Sequence, residues 1–202
     1  MIDQSFSTHR AAATAATREK ILRAAFQTLS RKGYENTTIK DIAEEAGVAQ
    51  GLLHYHFKSK QRVVLAVLAM CCAEMDLPDG GDPVRSALEA FEHFKAMLRS
   101  RRDVHSLYVQ LIGVGLHDSE VGDGILEFVR QNRGAVEAIT SEVLGQAGLS
   151  HQRVTALAAV VWGATLGIMI QSLLDPEFDA DSAVDALAAM SMTAVTHAED
   201  LA

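Results

Sequence analysis

The chain has 202 residues, of which 49% are hydrophobic and 5% aromatic, with three prolines, so it is long enough for a sizeable core and favours an all-α fold. The formal net charge of −8 argues against nucleic-acid binding by the whole chain, but residues 1–62 contain ten Lys or Arg against six Asp or Glu. The rest of the chain is acidic, which predicts that only the N-terminal region meets an anionic partner.

Residues 1–16 are polar and rich in Ala, Thr and Ser. They contain no apolar run, so we expect neither a signal peptide nor a membrane anchor there. A segment of this composition at a chain terminus is typical of a loose, flexible arm. We therefore begin the folded part of the chain at Thr17.

Apolar periodicity and helix-capping residues predict nine helices and no strand. Gly33 is placed to end the first helix, and Gly47 permits a sharp turn after the second. Thr38 and Asp41 form a pattern like a capping box at the start of the second helix. The predicted ranges are 17–32, 38–46, 49–57, 60–75, 83–101, 103–116, 119–146, 151–174 and 180–198.

The segment from Thr38 to Lys60 predicts a helix-turn-helix, in which the second helix lies in the major groove of DNA. Ala43 lets the two helices approach, and Leu53 and Phe57 are spaced to anchor the second helix inward. Gly51 either permits close approach to DNA or serves close packing of the helices. Four side chains are left to point outward: Gln50, Leu52, His54 and Tyr55.

This segment resembles the N-terminal signature of the TetR family of transcriptional regulators. The family pattern is a Thr-led helix with Asp-Ile-Ala, an Ala-Gly-Val turn, a helix like Gly-x-Leu-Tyr-x-His-Phe, and Ser-Lys. Here it reads Thr38-Ile-Lys-Asp-Ile-Ala, Ala46-Gly-Val, Gly51-Leu-Leu-His-Tyr-His-Phe and Ser59-Lys. His54 stands where the family usually has Tyr, and Leu52 where a small residue is usual. The operator sequence therefore does not carry over from the family.

The resemblance implies a DNA-binding domain at 17–62 and a ligand-binding and dimerisation domain at 63–202. It implies that Thr38, His56 and Lys60 contact phosphates. Base edges or the nearby DNA backbone are implied to face Lys40, Gln50, Leu52, His54 and Tyr55. In the family, the last two helices form the dimer interface and the middle ones enclose a ligand.

Apolar or soft side chains on the helices that would surround a cavity are candidates for lining it, with ordinary core packing as the alternative for each. An apolar cavity with few polar groups suits a small hydrophobic or amphipathic ligand. The candidates are Met70, Met75, Phe91, Phe94, Met97, Tyr108, Leu111, Phe128, Trp162 and Met169.

His93, His105 and His117 lie in the same region, but their spacing matches no metal-ligand motif. The adjacent Cys71 and Cys72 are unsuited to an ordinary disulfide or a zinc site, which indicates reduced thiols in a cytoplasmic protein. We expect no metal and no cofactor.

The segment from Val154 to Leu174 has no charged residue and is about as long as a membrane span. Thr155, Thr165 and Gln171 lower its hydrophobicity, and no cluster of Lys or Arg flanks it. We interpret it as a helix buried on all sides in a core or dimer interface, and we expect no membrane partner. Together with the apolar last helix, it predicts a homodimer.

These features predict a ligand-responsive, sequence-specific DNA-binding regulator, most simply a repressor that a small molecule releases from a palindromic operator. An enzyme is not expected, because the sequence has no Gly-rich phosphate loop, nucleophile elbow, HExxH motif or close carboxylate pair. Two alternatives stay open: an activator of the same fold, and a helical adaptor that binds protein instead of DNA. Salt-sensitive DNA binding distinguishes the regulator from the adaptor.

Overall fold

The computed structural model describes residues 3–73, 82–144 and 149–196, and within them the backbone forms nine α-helices and no strand. This confirms the all-α prediction, and most predicted helix ends lie within a few residues of the observed ones. The helices are α1 (Asp3–Lys32), α2 (Ile39–Glu45), α3 (Gln50–Phe57), α4 (Lys60–Ala73), α5 (Pro83–Ser100), α6 (Arg102–Gly115), α7 (Ser119–Leu144), α8 (His151–Leu174) and α9 (Ala180–Thr196).

The N-terminal segment differs from the expected loose arm, because α1 already begins at Asp3. The segment just before Thr17 is dominated by alanine, which is the strongest helix former, so the helix continues through it. The side chains at 12–16 are exposed. Local helix propensity therefore explains this extension better than tertiary packing does.

Packing divides the chain into two compact units. The first contains Met1–Met75 and Leu107–Ile125, and the second contains Asp76–Ser106 and Leu126–Ala202. The division falls within α6 and within α7, so the first unit includes more than the helix-turn-helix. The functional boundaries at 17–62 and 63–202 stay a prediction.

The first unit is built around α1, which packs against α2 and α4, while α3 packs against α2 and α4. Ala43 is 3% exposed, so it allows the close approach of helices that its small side chain predicts. The core of this unit contains fully buried side chains from all four of these helices and from α6 and α7. They are Ile21, Leu29, Ile42, Leu53, Val63, Val64, Val67, Leu111 and Val121.

In the second unit, α9 packs against both α5 and α8. Ion pairs join α5 to α9: Lys95 Nζ lies 2.7 Å from Asp185 Oδ1, and Arg99 pairs with Asp181. Hydrogen bonds to Asp185 and Glu92 raise the pKa of the Lys95 ammonium. The ammonium therefore stays charged although Lys95 is only 8% exposed.

The apolar helix α8 has two different sides. Val154, Ala158 and Met169 are buried, whereas Val160 and Leu174 are 68% and 79% exposed. Among the described helices, α8 is the one whose length and composition would allow it to cross a membrane. Within a single chain α8 is therefore not buried on all sides, because one apolar side is exposed, and burial of that side in a dimer interface stays a prediction.

Candidate nucleic-acid interface

The start of α2 is fixed by the capping box that the sequence predicts. Asp41 N donates to Thr38 Oγ1 at 3.1 Å, and Thr38 N donates to Asp41 Oδ2 at 2.8 Å. The Thr38 hydroxyl also donates to Asp41 Oδ2 at 2.6 Å, so its hydrogen must rotate away before it can reach a phosphate. Lys32 Nζ lies 2.7 Å from Asp41 Oδ1 and ties α2 to the end of α1. Hydrogen bonds from Lys32 and Thr38 hold the pKa of the Asp41 carboxyl well below its usual range.

The turn between α2 and α3 depends on Gly47, whose φ of +57° is in the left-handed region. It brings Val48 N to 3.0 Å from the carbonyl oxygen of Ala43. Leu53 and Phe57 of α3 are 0% and 4% exposed, as predicted, and the Arg18 guanidinium carbon lies 5.3 Å from the centre of the Phe57 ring. These contacts fix which side of α3 faces outward.

The outward side of α3 carries the predicted base-reading residues. Tyr55 is 74% exposed and Leu52 39%, and Gln50 and His54 are also exposed. The His56 ring is half-buried and packs edge-on against Tyr55, with 5.4 Å between ring centres. The structure thus brings these residues together on one short helix, and their contacts with DNA stay a prediction.

Gly51 lies on the exposed part of α3, and a Cβ added there would meet no described atom within 4 Å. Of the two interpretations open at the sequence level, close helix packing is therefore wrong. Glycine in a helix is less stable than alanine by about 0.5–1 kcal/mol. No contact within the described chain explains why a glycine, with its lower helix stability, stands at this position.

Lys60 occupies a half-buried position that its sequence context did not indicate. Its Nζ donates to the Tyr34 carbonyl oxygen at 2.6 Å and lies 4.0 Å from the centre of the Tyr34 ring. Burial lowers the pKa of this ammonium. The side chain joins the start of α4 to the segment after α1, and its predicted phosphate contact would compete with this bond.

Two other lysines of this region are exposed. Lys40 Nζ is 3.7 Å from Glu44 Oε1 in a loose surface pair. Lys58, which was not among the predicted contacts, ends α3 with a φ of 61°, and its carbonyl oxygen is 3.3 Å from His54 Nδ1. A basic residue directly before the Ser-Lys motif was the sequence signal for it.

The start of α4 is also tied to the start of α7, within the first unit. Gln61 Nε2 donates to Asp118 Oδ2 at 3.1 Å, and Arg62 Nε donates to Glu120 Oε1 at 3.0 Å. The bond from Gln61 and a backbone bond from Val121 lower the pKa of the Asp118 carboxyl. We call these two bonds, Gln61–Asp118 and Arg62–Glu120, the α4–α7 junction. They join residues far apart in sequence, so the helix pattern did not indicate them.

The candidate ligand-lining residues do not all belong to one unit. Tyr108 and Leu111 are buried and Met70 is half-buried in the first unit, whereas Met75 lies outside the described residues. The others belong to the second unit, where Met169 is 4% exposed and the rest are half-buried. Those are Phe91, Phe94, Met97, Phe128, Trp162 and Met169.

The histidines and cysteines give no sign of a metal centre in the described part of the chain, where no three His, Cys, Asp or Glu side chains gather. His105 is buried, and desolvation, with a smaller contribution from Arg101, lowers its pKa. Cys71 is buried, and the side chain of Cys72 lies outside the described residues.

Comparison with known proteins gives the helix-turn-helix a family. Residues 21–67 match the family model described as bacterial regulatory proteins, tetR family. The regulator CymR of Pseudomonas putida is 27% identical over 167 residues, which cover 78% of this chain and 79% of CymR. Other regulators match over shorter stretches, such as YvdT of Bacillus subtilis, 36% identical over 80 residues that cover 39% of its length.

Solved structures share the fold. GusR of Salmonella enterica has a TM-score of 0.71 at 19% identity, covering 90% of this chain and 96% of that one. FadR of Bacillus subtilis, solved in complex with stearoyl-CoA, has a TM-score of 0.65 at 18% identity, covering 86% and 96%. Residues 21–67 therefore carry the helix-turn-helix of the tetR family of bacterial regulatory proteins, and the chain as a whole shares the fold of solved transcriptional regulators.

Proposed function

We propose that this chain is a cytoplasmic repressor that binds a palindromic operator as a homodimer and releases it when a small hydrophobic or amphipathic ligand binds. Residues 17–62 bind the DNA, and residues 63–202 bind the ligand and dimerise. The exposed side of α3 is the observation that carries this proposal. It presents Leu52, His54 and Tyr55 on a helix whose opposite side is anchored by Leu53 and Phe57.

The chemistry of this side suits a mixture of base and backbone contacts. Leu52 offers apolar contact to a thymine methyl group, and His54 can bond to a base acceptor or a phosphate. Lys58, at the end of α3, offers a charge to the phosphates. Gly51 leaves room for the DNA backbone at a point where the protein itself does not fill the space.

Dimerisation is supported by the uncovered side of α8. At 3.6 residues per turn, Val160, Ile170 and Leu174 lie on one side of the helix together with Gly163 and Gly167, and no described atom comes within 4 Å of a Cβ at either glycine. Met190 of α9 is 70% exposed. A second copy related by a two-fold axis would cover this apolar side, and the glycines would allow close approach.

A matched pair of exposed leucines tests the dimer. Leu174 and Leu116 are 79% and 76% exposed; Leu174 is the last residue of α8, and Leu116 directly follows α6. The double variant Val160→Arg, Leu174→Arg should sediment as a monomer at micromolar concentration, whereas Leu116→Arg should sediment like the wild type. If both variants sediment as dimers, the dimer interface lies elsewhere.

The fold shared with FadR of Bacillus subtilis, solved with stearoyl-CoA, supports an amphipathic ligand for this chain. Ligand control requires only that the bound and free states differ in DNA affinity by about 1–3 kcal/mol. We infer that α4 transmits this difference. Helix α4 begins shortly after α3, and its first turn makes the α4–α7 junction.

Selection of bound sequences from random duplex DNA, at several salt concentrations, tests the DNA-binding function. The wild type should recover a palindrome, and His54→Ala should change the preferred bases. Gly51→Ala should weaken binding about tenfold or more, equivalent to about 1.4 kcal/mol, while the unfolding temperature stays equal or rises. Gly113→Ala is the matched control, because its new Cβ also meets nothing within 4 Å.

The alternatives give different results in the same experiment. Recovery of no motif at low salt, or binding that does not weaken as salt rises, would favour the protein-binding adaptor. A recovered operator placed before a reporter gene then separates repressor from activator. The repressor lowers expression until ligand is added, and the activator raises it.

A further inference from the structure

Two ring nitrogens of the second unit are buried without a hydrogen-bond partner among the described residues. They are Nε2 of His93 on α5 and Nε1 of Trp162 on α8. An indole N–H is a donor only, and an imidazole nitrogen either donates or accepts. Proteins rarely leave such groups unsatisfied, because burial removes the water that would otherwise bond to them. A molecule that supplies a partner is the simplest reason to keep both.

Apolar side chains lie beside each of these two nitrogens along its own helix, and the charged residue one turn before His93, Glu89, is paired with Arg85. Trp162 shares the covered side of α8 with Ala158 and Met169, which are 0% and 4% exposed. His93 lies one turn from Met97 on the same side of α5. Both helices pack against α9. A polar group that reaches either nitrogen therefore belongs to a largely apolar molecule.

The charged side chains nearby argue against an anionic head group. Each basic side chain of α5 already pairs with a carboxylate: Arg85 with Glu89, Lys95 with Asp185 and Arg99 with Asp181. Arg102, at the start of α6, donates to the carbonyl oxygens of Ser172 and Leu173 at the end of α8. An anion bound among these groups would have to break an existing pair or remain uncompensated.

We propose that Trp162 and His93 are the polar anchors of the effector site, and that the effector is an apolar molecule with a neutral carbonyl oxygen, as in an ester, amide or ketone. This inference rests on the proposed ligand-responsive function and adds the class of ligand and its anchors. The indole N–H donates to the carbonyl oxygen, and the imidazole nitrogen of His93 bonds to a polar group of the same molecule. An ammonium ligand has no acceptor to offer the indole.

The chain has one tryptophan, so full-length protein labelled with ¹⁵N-tryptophan gives a single indole signal by NMR. The probes are methyl octanoate, octanoate and octylamine, which share an eight-carbon chain and differ in the head group. Methyl octanoate should move the indole proton downfield saturably, and octylamine should not. Calorimetry should give octanoate at least tenfold weaker binding than the ester.

Variants separate anchoring from packing. His93→Leu should weaken binding of methyl octanoate about three- to tenfold, the usual effect of one neutral hydrogen bond, whereas the exposed His117, changed to Leu, is the matched control and should have no effect. Replacing the tryptophan by benzothienylalanine during expression puts sulfur in place of Nε1–H with little change of shape. This replacement should weaken binding of methyl octanoate by the same factor and leave binding of octylamine unchanged.

Several results would overturn this inference: an indole signal that responds to no oxygen-bearing probe, equal affinity for ester and carboxylate, or ester binding unaffected by both replacements. The first of these includes the case in which ordered water alone satisfies the two rings. Binding of the ligand-free protein to its selected DNA is measured in parallel. If the wild type does not bind DNA, the proposed function is contradicted. If it binds DNA but its indole signal responds to none of the probes, only the proposed ligand class is overturned.

Discussion

The backbones of α6 and α7 come into contact at two glycines, and replacing one of them tests the observed packing. A Cβ added at Gly122 would lie 2.5 Å from the carbonyl oxygen of Gly115 and 3.4 Å from its carbonyl carbon. Favourable contacts between carbon atoms lie near 3.5–4.0 Å. The blocking atoms belong to the backbone, so no side-chain rotation relieves the overlap. Gly122→Ala must push the two helices apart.

The expected size follows from two opposing effects. Overpacking of a well-packed site costs about 1–3 kcal/mol, and alanine is the better helix former by about 0.8–1.0 kcal/mol. Gly122→Ala should therefore destabilise the protein by up to about 2 kcal/mol. Gly134 is on the same helix, but a Cβ there meets no described atom within 4 Å, so Gly134→Ala should gain only the helix propensity. The two variants should differ by about 1–3 kcal/mol.

Thermal unfolding followed by circular dichroism measures this difference. For a chain of this length, about 2–4 °C in Tm corresponds to 1 kcal/mol. All variants are compared at one protomer concentration, because the Tm of a dimer depends on it. If Gly122→Ala is as stable as Gly134→Ala, the close approach of α6 and α7 does not exist in solution.

Three further predictions concern the charged groups around α2, α3 and α4. Asp41→Asn should destabilise the protein near pH 6. The folded state lowers the pKa of Asp41. Its contribution to stability is therefore present above the unfolded pKa of about 3.9 and is lost as the pH falls through the folded pKa. The urea midpoints of the variant and the wild type should therefore converge in acid. Lys58→Ala should reduce the slope of log K against log salt by about one if Lys58 meets a phosphate, and an unchanged slope would remove it from the interface. Lys60→Met should lower the unfolding free energy by about 1 kcal/mol through loss of its bond to the Tyr34 carbonyl, whereas Lys40→Met, whose pair is exposed, should change it by less than about 0.5 kcal/mol; equal effects would contradict an internal role for Lys60.

The helix-turn-helix could be predicted from sequence because its determinants are local. The capping box of Thr38 and Asp41 spans four residues, and the left-handed turn needs only Gly47. The inward residues Leu53 and Phe57 follow from helical spacing alone. Segments whose conformation depends on residues close together in the chain can be predicted from the sequence alone.

The side-chain partners of Lys60, Gln61 and Arg62 could not be predicted, because they depend on tertiary contacts. The Lys60 ammonium bonds to a carbonyl 26 positions earlier, and Arg62 bonds to a carboxylate 58 positions later. Gly51 is intermediate: the sequence raised both interpretations, and the absence of described atoms within 4 Å of an added Cβ removed close helix packing, whereas close approach to DNA stays a prediction. The uncovered side of α8 had the right composition, but which residues it exposes became clear only once α9 was in place.

The energetics of the α4–α7 junction bear on how a regulator of this fold can be switched. Arg62 and Glu120 are 65% and 42% exposed as side chains, and an ion pair with such exposure contributes only about 0–1 kcal/mol. The bond from Gln61 to Asp118 adds about 1 kcal/mol more. Useful ligand control requires about 1–3 kcal/mol, which is the same range. A strongly buried junction would hold α4 in one position against such a difference. Bonds of this strength would instead let the proposed ligand-driven movement of α7 displace α4, and with it α3.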